Sequence, residues 1–310
     1  MTRRELLAAA AAAACAPALR ARGFDKSRIS AITDEIGVST DDSIAFAHKY
    51  GLTNVEIRDR VLEGRRREYF QLPEAEIKAD ALRFKKEGLN VSFVNTSLLK
   101  FTWPGTEPVR RRPETPEARE KRLAAEKLRW ENRLTDLRKA INCAHIMGCD
   151  KVRVFTGTRI EQPQTVFPRI AETIGGEFAA VAEKEKIHLL IENEGGQNIA
   201  TSQEIVDILK LINSKWVGFN WDPHNAYGRE KSFPDSYQLL PKKRMLNVQV
   251  KGKGIMPNSP EKDDWRTIIQ TLDKDGYKGK IGLETHIFDG TLIAAAHTSM
   301  EEIMRILKTL

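Results

Sequence analysis

Cysteine is scarce, with three in 310 residues. Cys15 lies in an alanine-rich start, and the alanines before it make a poor lipidation signal, so no lipid anchor is expected there. Cys143 and Cys149 are six positions apart, a spacing that does not bring two side chains together on a helix. Two free, buried thiols are therefore expected. Long apolar runs are missing too. The alanine run Ala8–Ala14 is far shorter than the roughly 20 residues a membrane helix needs, so no stable membrane span is expected. There are no low-complexity linkers and no composition shift that would mark a second domain. Histidine is sparse, and its six copies are scattered.

What remains is enough for one large core. The hydrophobic content is 41%, and a chain of this length can hold a barrel of about 250 residues. Lys and Arg exceed Asp and Glu by seven. Spread over so long a chain, such an excess ordinarily serves solubility, and it leaves room for an anionic substrate. Residues 1–22 read as an export signal and linker rather than as fold. Arg3-Arg4 precede Leu6-Leu7, the alanine run and the small residues Ala16-Pro17-Ala18. This is the pattern of a twin-arginine signal with its cleavage site, and it predicts a periplasmic or secreted protein.

From residue 23 to residue 310, short apolar segments alternate with helical ones. Strands are predicted at Ile29–Thr33, Asn54–Arg58, Asn90–Asn95 and Lys151–Phe155, and then near Ile187, Trp216, Met245 and Lys280. Helices are predicted at Asp41–Tyr50, Glu74–Glu87, a long segment ending at Gly148, Phe167–Lys184, Ser202–Leu211, a short piece before Pro241, Asp264–Lys274 and Met300–Leu310. Eight such alternations point to an α/β fold with a closed parallel sheet, the (β/α)8 TIM barrel. One segment, 101–116, interrupts the pattern with four prolines and Gly105. Because it follows a strand it is expected on the catalytic face as a lid-like loop. Trp103 within it could stack on a sugar, and Arg110–Arg112 could meet an anionic group.

Four polar residues end the last four strands: Glu192, Asp222, Gln249 and Glu284, at spacings of 30, 27 and 35. In a barrel, strand ends converge on one spot, and three carboxylates with an amide oxygen there make a hard, oxygen-rich cation site. The segments Ile191-Glu-Asn193, Asp222-Pro223, Gln249-Val-Lys251 and Gly282-Leu-Glu284 resemble the xylose isomerase-like superfamily of sugar phosphate isomerases and epimerases, from about Arg28 to the C-terminus. The resemblance implies one divalent ion held by Glu192, Asp222, Gln249 and Glu284, with Mn²⁺ foremost and Mg²⁺, Co²⁺ or Zn²⁺ as alternatives. Gln249 stands where the family usually has His, and Gly252 where it has Asp. Members of the superfamily that repair DNA use clustered histidines, which this chain lacks, so no nucleic-acid partner is expected.

The resemblance further implies that Glu192 and Glu284 exchange a proton on opposite faces of a small carbohydrate substrate, through a metal-stabilised enediolate, giving isomerisation or epimerisation. Loss of a β-hydroxyl at the same site would make the enzyme a lyase or dehydratase. Substrate-binding candidates are His224, Asn225, Lys251, Glu56, Trp103 and His286. A carbohydrate-binding barrel without catalysis, with Trp103, Trp221 and Phe288 around its mouth, is the reading from another class. An oligomer is compatible with all of these.

The leader makes a direct prediction. With Arg3→Lys and Arg4→Lys combined, fractionation should find the protein retained in the cytoplasm; unchanged export would overturn the twin-arginine reading.

Overall fold

The computed structural model describes residues 23–109 and 113–310. The export segment and the run Arg110–Arg112 lie outside them. The barrel strands are β1 (Ile29–Ala31), β2 (Asn54–Ile57), β5 (Asn90–Val94), β6 (Lys151–Val154), β7 (His188–Glu192), β8 (Val217–Trp221), β9 (Met245–Lys251) and β10 (Lys280–Glu284). A hairpin, β3 (Asp59–Leu62) with β4 (Arg65–Glu68), stands apart from them. The eight barrel strands run in the order β1-β10-β9-β8-β7-β6-β5-β2. A parallel bridge between Ile32 and Glu56 joins the two ends of that series. The result is the expected (β/α)8 barrel.

Alternate residues of each strand face opposite sides. Val55, Val152, Leu189, Phe219, Val248 and Ile281 face outward and are buried beneath the helices. The inward set is different. Ser30, Glu56, Arg153, Asn220, Asn247 and Gln249 are all buried, where such barrels usually stack branched apolar side chains. Buried polar groups must find partners, and here they find one another. Glu56 accepts from Ser30 Oγ at 2.7 Å, Asn95 Nδ2 at 2.9 Å, Gln249 Nε2 at 2.9 Å and Asn247 Nδ2 at 3.3 Å. Asn247 also donates to Asn220 Oδ1 at 3.1 Å, and Asn220 donates to Glu192 Oε2 at 2.8 Å. An unbroken polar chain thus runs from the barrel's middle to its mouth.

The helical layer follows the predicted pattern with several departures, among them a π-helical stretch, Ala171–Phe178, inside the helix expected at Phe167–Lys184. The segment before Gly148 is two helices, Pro116–Glu131 and Arg133–Met147, separated by Asn132. The crossover between β8 and β9 has 3-10 turns at Ser236–Leu239 and Lys242–Arg244; Pro234 and Pro241 break any longer helix there. The last helix is Leu292–Leu307 and begins well before Met300, because Leu292-Ile-Ala-Ala-Ala296 is itself strongly helix-forming. No helix among the described residues is long and apolar enough to cross a membrane. Cys143 and Cys149 are free and buried.

Trp103 does not meet the expectation of a mouth residue. It is 2% exposed and packs on Trp130 with ring centroids 5.2 Å apart. Gly157 opens the slot it fills, since a Cβ there would lie 2.6 Å from the indole. The start of 101–116 is therefore anchored in the core. Trp221 is also buried, on the outward face of β8 against Tyr237. Of the proposed aromatic mouth only Phe288 is exposed.

Gly282 makes room for Glu56. A Cβ on Gly282 would sit 2.1 Å from Glu56 Oε1, and no shift of one atom relieves that while four hydrogen bonds hold the carboxylate. Gly282→Ala should therefore cost about 1–3 kcal/mol by overpacking, measurable as a lower urea midpoint. An unchanged midpoint would show that Glu56 is free to move.

Candidate active site at the barrel mouth

Strand ends β7 and β10 and the residue after β8 bring Glu192, Asp222 and Glu284 together. One oxygen from each lies within 4.8 Å of the others. All three side chains are buried, a costly arrangement unless the charges are compensated. Arg153 Nη1 bonds Glu192 Oε2 at 2.9 Å. Arg58 Nη1 bonds Glu284 Oε1 at 3.0 Å, and its Nη2 reaches Asp34 and Glu35, each at 2.7 Å. Lys251 Nζ lies 2.6 Å from Glu284 Oε2 and 3.5 Å from Asp222 Oδ2. The register Glu284↔Lys251 between β10 and β9 sets that last pairing.

The charges act on one another. Burial raises the Asp222 carboxyl to about 7, against the pull of Lys251. Burial also pushes against ionisation of Glu284, but Lys251, Arg58 and Arg153 outweigh it and hold that carboxyl well below its ordinary value. Burial works against the Lys251 ammonium too, and Glu284, Asp222 and Glu192 more than restore it. Glu56, below them, is raised to about 7 by burial despite its hydrogen-bond donors. Two carboxylates with opposite shifts stand side by side, an arrangement typical of acid–base sites.

Above these groups opens a cavity of about 270 Å³ lined by Arg58, Glu68, Lys100, Arg153, Glu192, Asn225, Lys251, Glu284, His286 and their neighbours. The size suits a small ligand. A larger cavity of about 720 Å³ lies beside the hairpin, against Val38, Val61 and Leu292. It contains none of the three carboxylates, whereas Glu192 and Glu284 line the smaller one.

Of the substrate-binding candidates, Asn225, Lys251 and His286 line the mouth cavity. Asn225 Nδ2 bonds Glu192 Oε1 at 3.3 Å. The His286 amide N bonds Glu35 Oε2 at 2.7 Å. His224 turns away. Its Nε2 is 3.2 Å from Glu261 and its Nδ1 3.5 Å from Asp263, and its ring stacks on Tyr227. Two acidic side chains from the loop after β9 draw the imidazole out of the cavity. Glu56 is not a mouth residue either: it is fully buried, because it lies two residues before Arg58 and sits against Gly282, Asn247 and Gln249 in the layer below. Arg153, Glu68 and Lys100 were missed. The signal for Arg153 was a cation flanked by Val152 and Val154 inside a strand.

The donor set fits a hard divalent cation. Asp222 Oδ1 accepts the amides of His224 at 2.9 Å and Asn225 at 3.1 Å, while buried Asp222 Oδ2 has no hydrogen-bond partner. Carboxylate oxygens are the ligands such ions take. Gln249 is held by its amide nitrogen on Glu56, and its oxygen accepts from Asn247 at 3.0 Å, which leaves that oxygen a second lone pair.

Fold and site together define a (β/α)8 barrel with an acidic, cation-competent mouth. The family model of the xylose isomerase-like TIM barrel matches residues 44–310, and the chain belongs to that family. Among solved structures, 3-keto-D-glucoside 4-epimerase, YcjR, from E. coli is similar with a TM-score of 0.65 at 13% identity, covering 91% of this chain and 99% of that one. The probable 3-DHS dehydratase AsbF from Bacillus anthracis gives 0.65 at 13%, covering 89% and 98%. A xylose isomerase-like TIM barrel protein from Mycobacterium smegmatis in complex with magnesium gives 0.65 at 16%, covering 92% and 99%. At these identities the likeness is one of fold. No curated protein sequence matches the chain.

The raised carboxyl of Glu56 predicts a pH effect on stability. With a folded-state value of about 7 against an ordinary value of about 4.3, the native state binds the extra proton between the two. Stability should then fall as pH rises through that window, by up to about 4 kcal/mol, and level off above it. Urea unfolding at pH 5 and pH 8, with a chelator present, should show a steeper fall for the wild type than for Glu56→Gln. Equal slopes would exclude Glu56 as the titrating group.

Proposed function

We propose that this chain is a divalent-metal-dependent isomerase or epimerase of a small sugar or sugar derivative, exported by the twin-arginine route. The observation that carries the reading is the meeting of Glu192, Asp222 and Glu284 beside a polar cavity of about 270 Å³, which Glu192 and Glu284 line. Glu192, Asp222 and Glu284 would hold the ion, with the Gln249 oxygen as a fourth donor. When bound, the ion supplies Lewis acidity toward a substrate carbonyl.

The remaining work falls to this chain's side chains. Glu192 and Glu284 come from strands on either side of β8 and β9 and face the cavity from two directions. Such a pair can remove a proton from one face of a carbon and return it to the other. Arg153 and Asn220 fix the Glu192 carboxylate, and Arg58 fixes that of Glu284. Asn225 and His286 stand where substrate hydroxyls would need partners. Lyase action at the same site is the second reading. It draws on the likeness to a probable dehydratase and on Lys100 and Glu68 in the cavity wall, which could protonate a leaving hydroxyl.

The test is a panel of keto-sugars incubated with the Mn²⁺-loaded protein in D₂O. Deuterium at one carbon without loss of water supports isomerase or epimerase action, whereas loss of water supports the lyase. No exchange with any of them counts against the proposal. Glu192→Gln and Glu284→Gln should each lower turnover by about 10²–10⁴-fold. If both variants keep near-normal turnover, the proton-transfer groups lie elsewhere.

A further inference from the structure

Three buried carboxylates at the mouth face three protein cations, and these are not equivalent. Arg153 is tied down, since its Nε also bonds Thr96 O at 3.1 Å. Arg58 is tied down by Asp34 and Glu35. Lys251 alone of the three has no hydrogen bond beyond the carboxylates among the described residues. It sits on a flexible four-carbon stem and lines the open cavity.

Its ammonium also faces the very atoms a metal would use. Lys251 Nζ is 2.6 Å from Glu284 Oε2 and 3.5 Å from Asp222 Oδ2, and Asp222 Oδ2 has no hydrogen-bond donor of its own. Hard divalent ions such as Mg²⁺ bind oxygen at about 2.1 Å, so an ion on Glu284 Oε2 would lie no more than about 4.7 Å from the ammonium as it now stands. Two cations that close, inside a buried site, repel strongly.

We propose that Lys251 is a tethered counter-ion that competes with the divalent metal for Glu284 and Asp222, and that metal binding moves its ammonium off these oxygens into the cavity. This inference rests on the metal reading above. The exchange keeps the carboxylates compensated in both states. In the loaded state it also places a cationic donor beside the substrate.

The test is calorimetric titration of MnCl₂ into the wild type, Lys251→Met and Lys251→Gln, the second variant retaining a polar group should the first fail to fold. The variants should bind Mn²⁺ at least about tenfold more tightly, the scale on which neighbours of metal ligands tune affinity. Their thermal midpoints should rise more on adding MnCl₂ than that of the wild type. Equal or weaker binding by a folded variant overturns the inference and leaves the metal reading standing. No binding by any of the proteins overturns both. In the wild type, amine labelling of Lys251 read by mass spectrometry should increase when MnCl₂ binds. Binding without any change in labelling also overturns the exchange.

Discussion

Everything at the mouth of this barrel depends on balancing buried carboxylate charge. Glu192, Asp222 and Glu284 sit where water cannot solvate them, and an isolated charge there would be prohibitive. Arg153 of β6, Arg58 just past β2 and Lys251 of β9 offset that cost. The compensation is uneven. Glu284 has two cations in direct contact and stays ionised, while Asp222 has one more distant cation and is raised to about 7. That asymmetry gives neighbouring carboxyl groups different proton affinities, and it leaves one Asp222 oxygen open to a further cation.

The barrel interior holds this arrangement in register. An apolar middle would give the mouth residues nothing to hydrogen-bond below them. Here Glu56 gathers Ser30, Asn95, Asn247 and Gln249, and Asn247 passes the link through Asn220 to Glu192. Gly282 leaves the space that lets a carboxylate from β2 cross toward β9 and β10. A shift of one residue in any of these strands would turn the polar set into the helical layer. The register is therefore fixed by polar partners inside as well as by apolar packing outside. On the rim, the hairpin after β2 adds Asp59 and Glu68, while buried Glu35 of the helical turn Thr33–Ile36 braces Arg58 and the His286 amide. The mouth is thus built on short elements.

The alternation of apolar strands with helical segments was legible in the chain, because parallel strands covered on both faces read as short apolar runs. So was the meeting of Glu192, Asp222 and Glu284, because strand ends converge in any closed barrel. The destinations of individual side chains were not legible. Trp103 entered the core because Gly157, more than fifty residues away, leaves a slot for it. His224 turned outward because Glu261 and Asp263 return on a later loop. Arg153 became the partner of Glu192 only once β6 lay beside β7. Local pattern therefore determined the number and order of the barrel strands, since these depend on residues near one another. Which cation met which carboxylate, and which polar groups faced the cavity, was decided by the tertiary structure, because those pairings join strands that are distant in sequence and adjacent only in the closed ring.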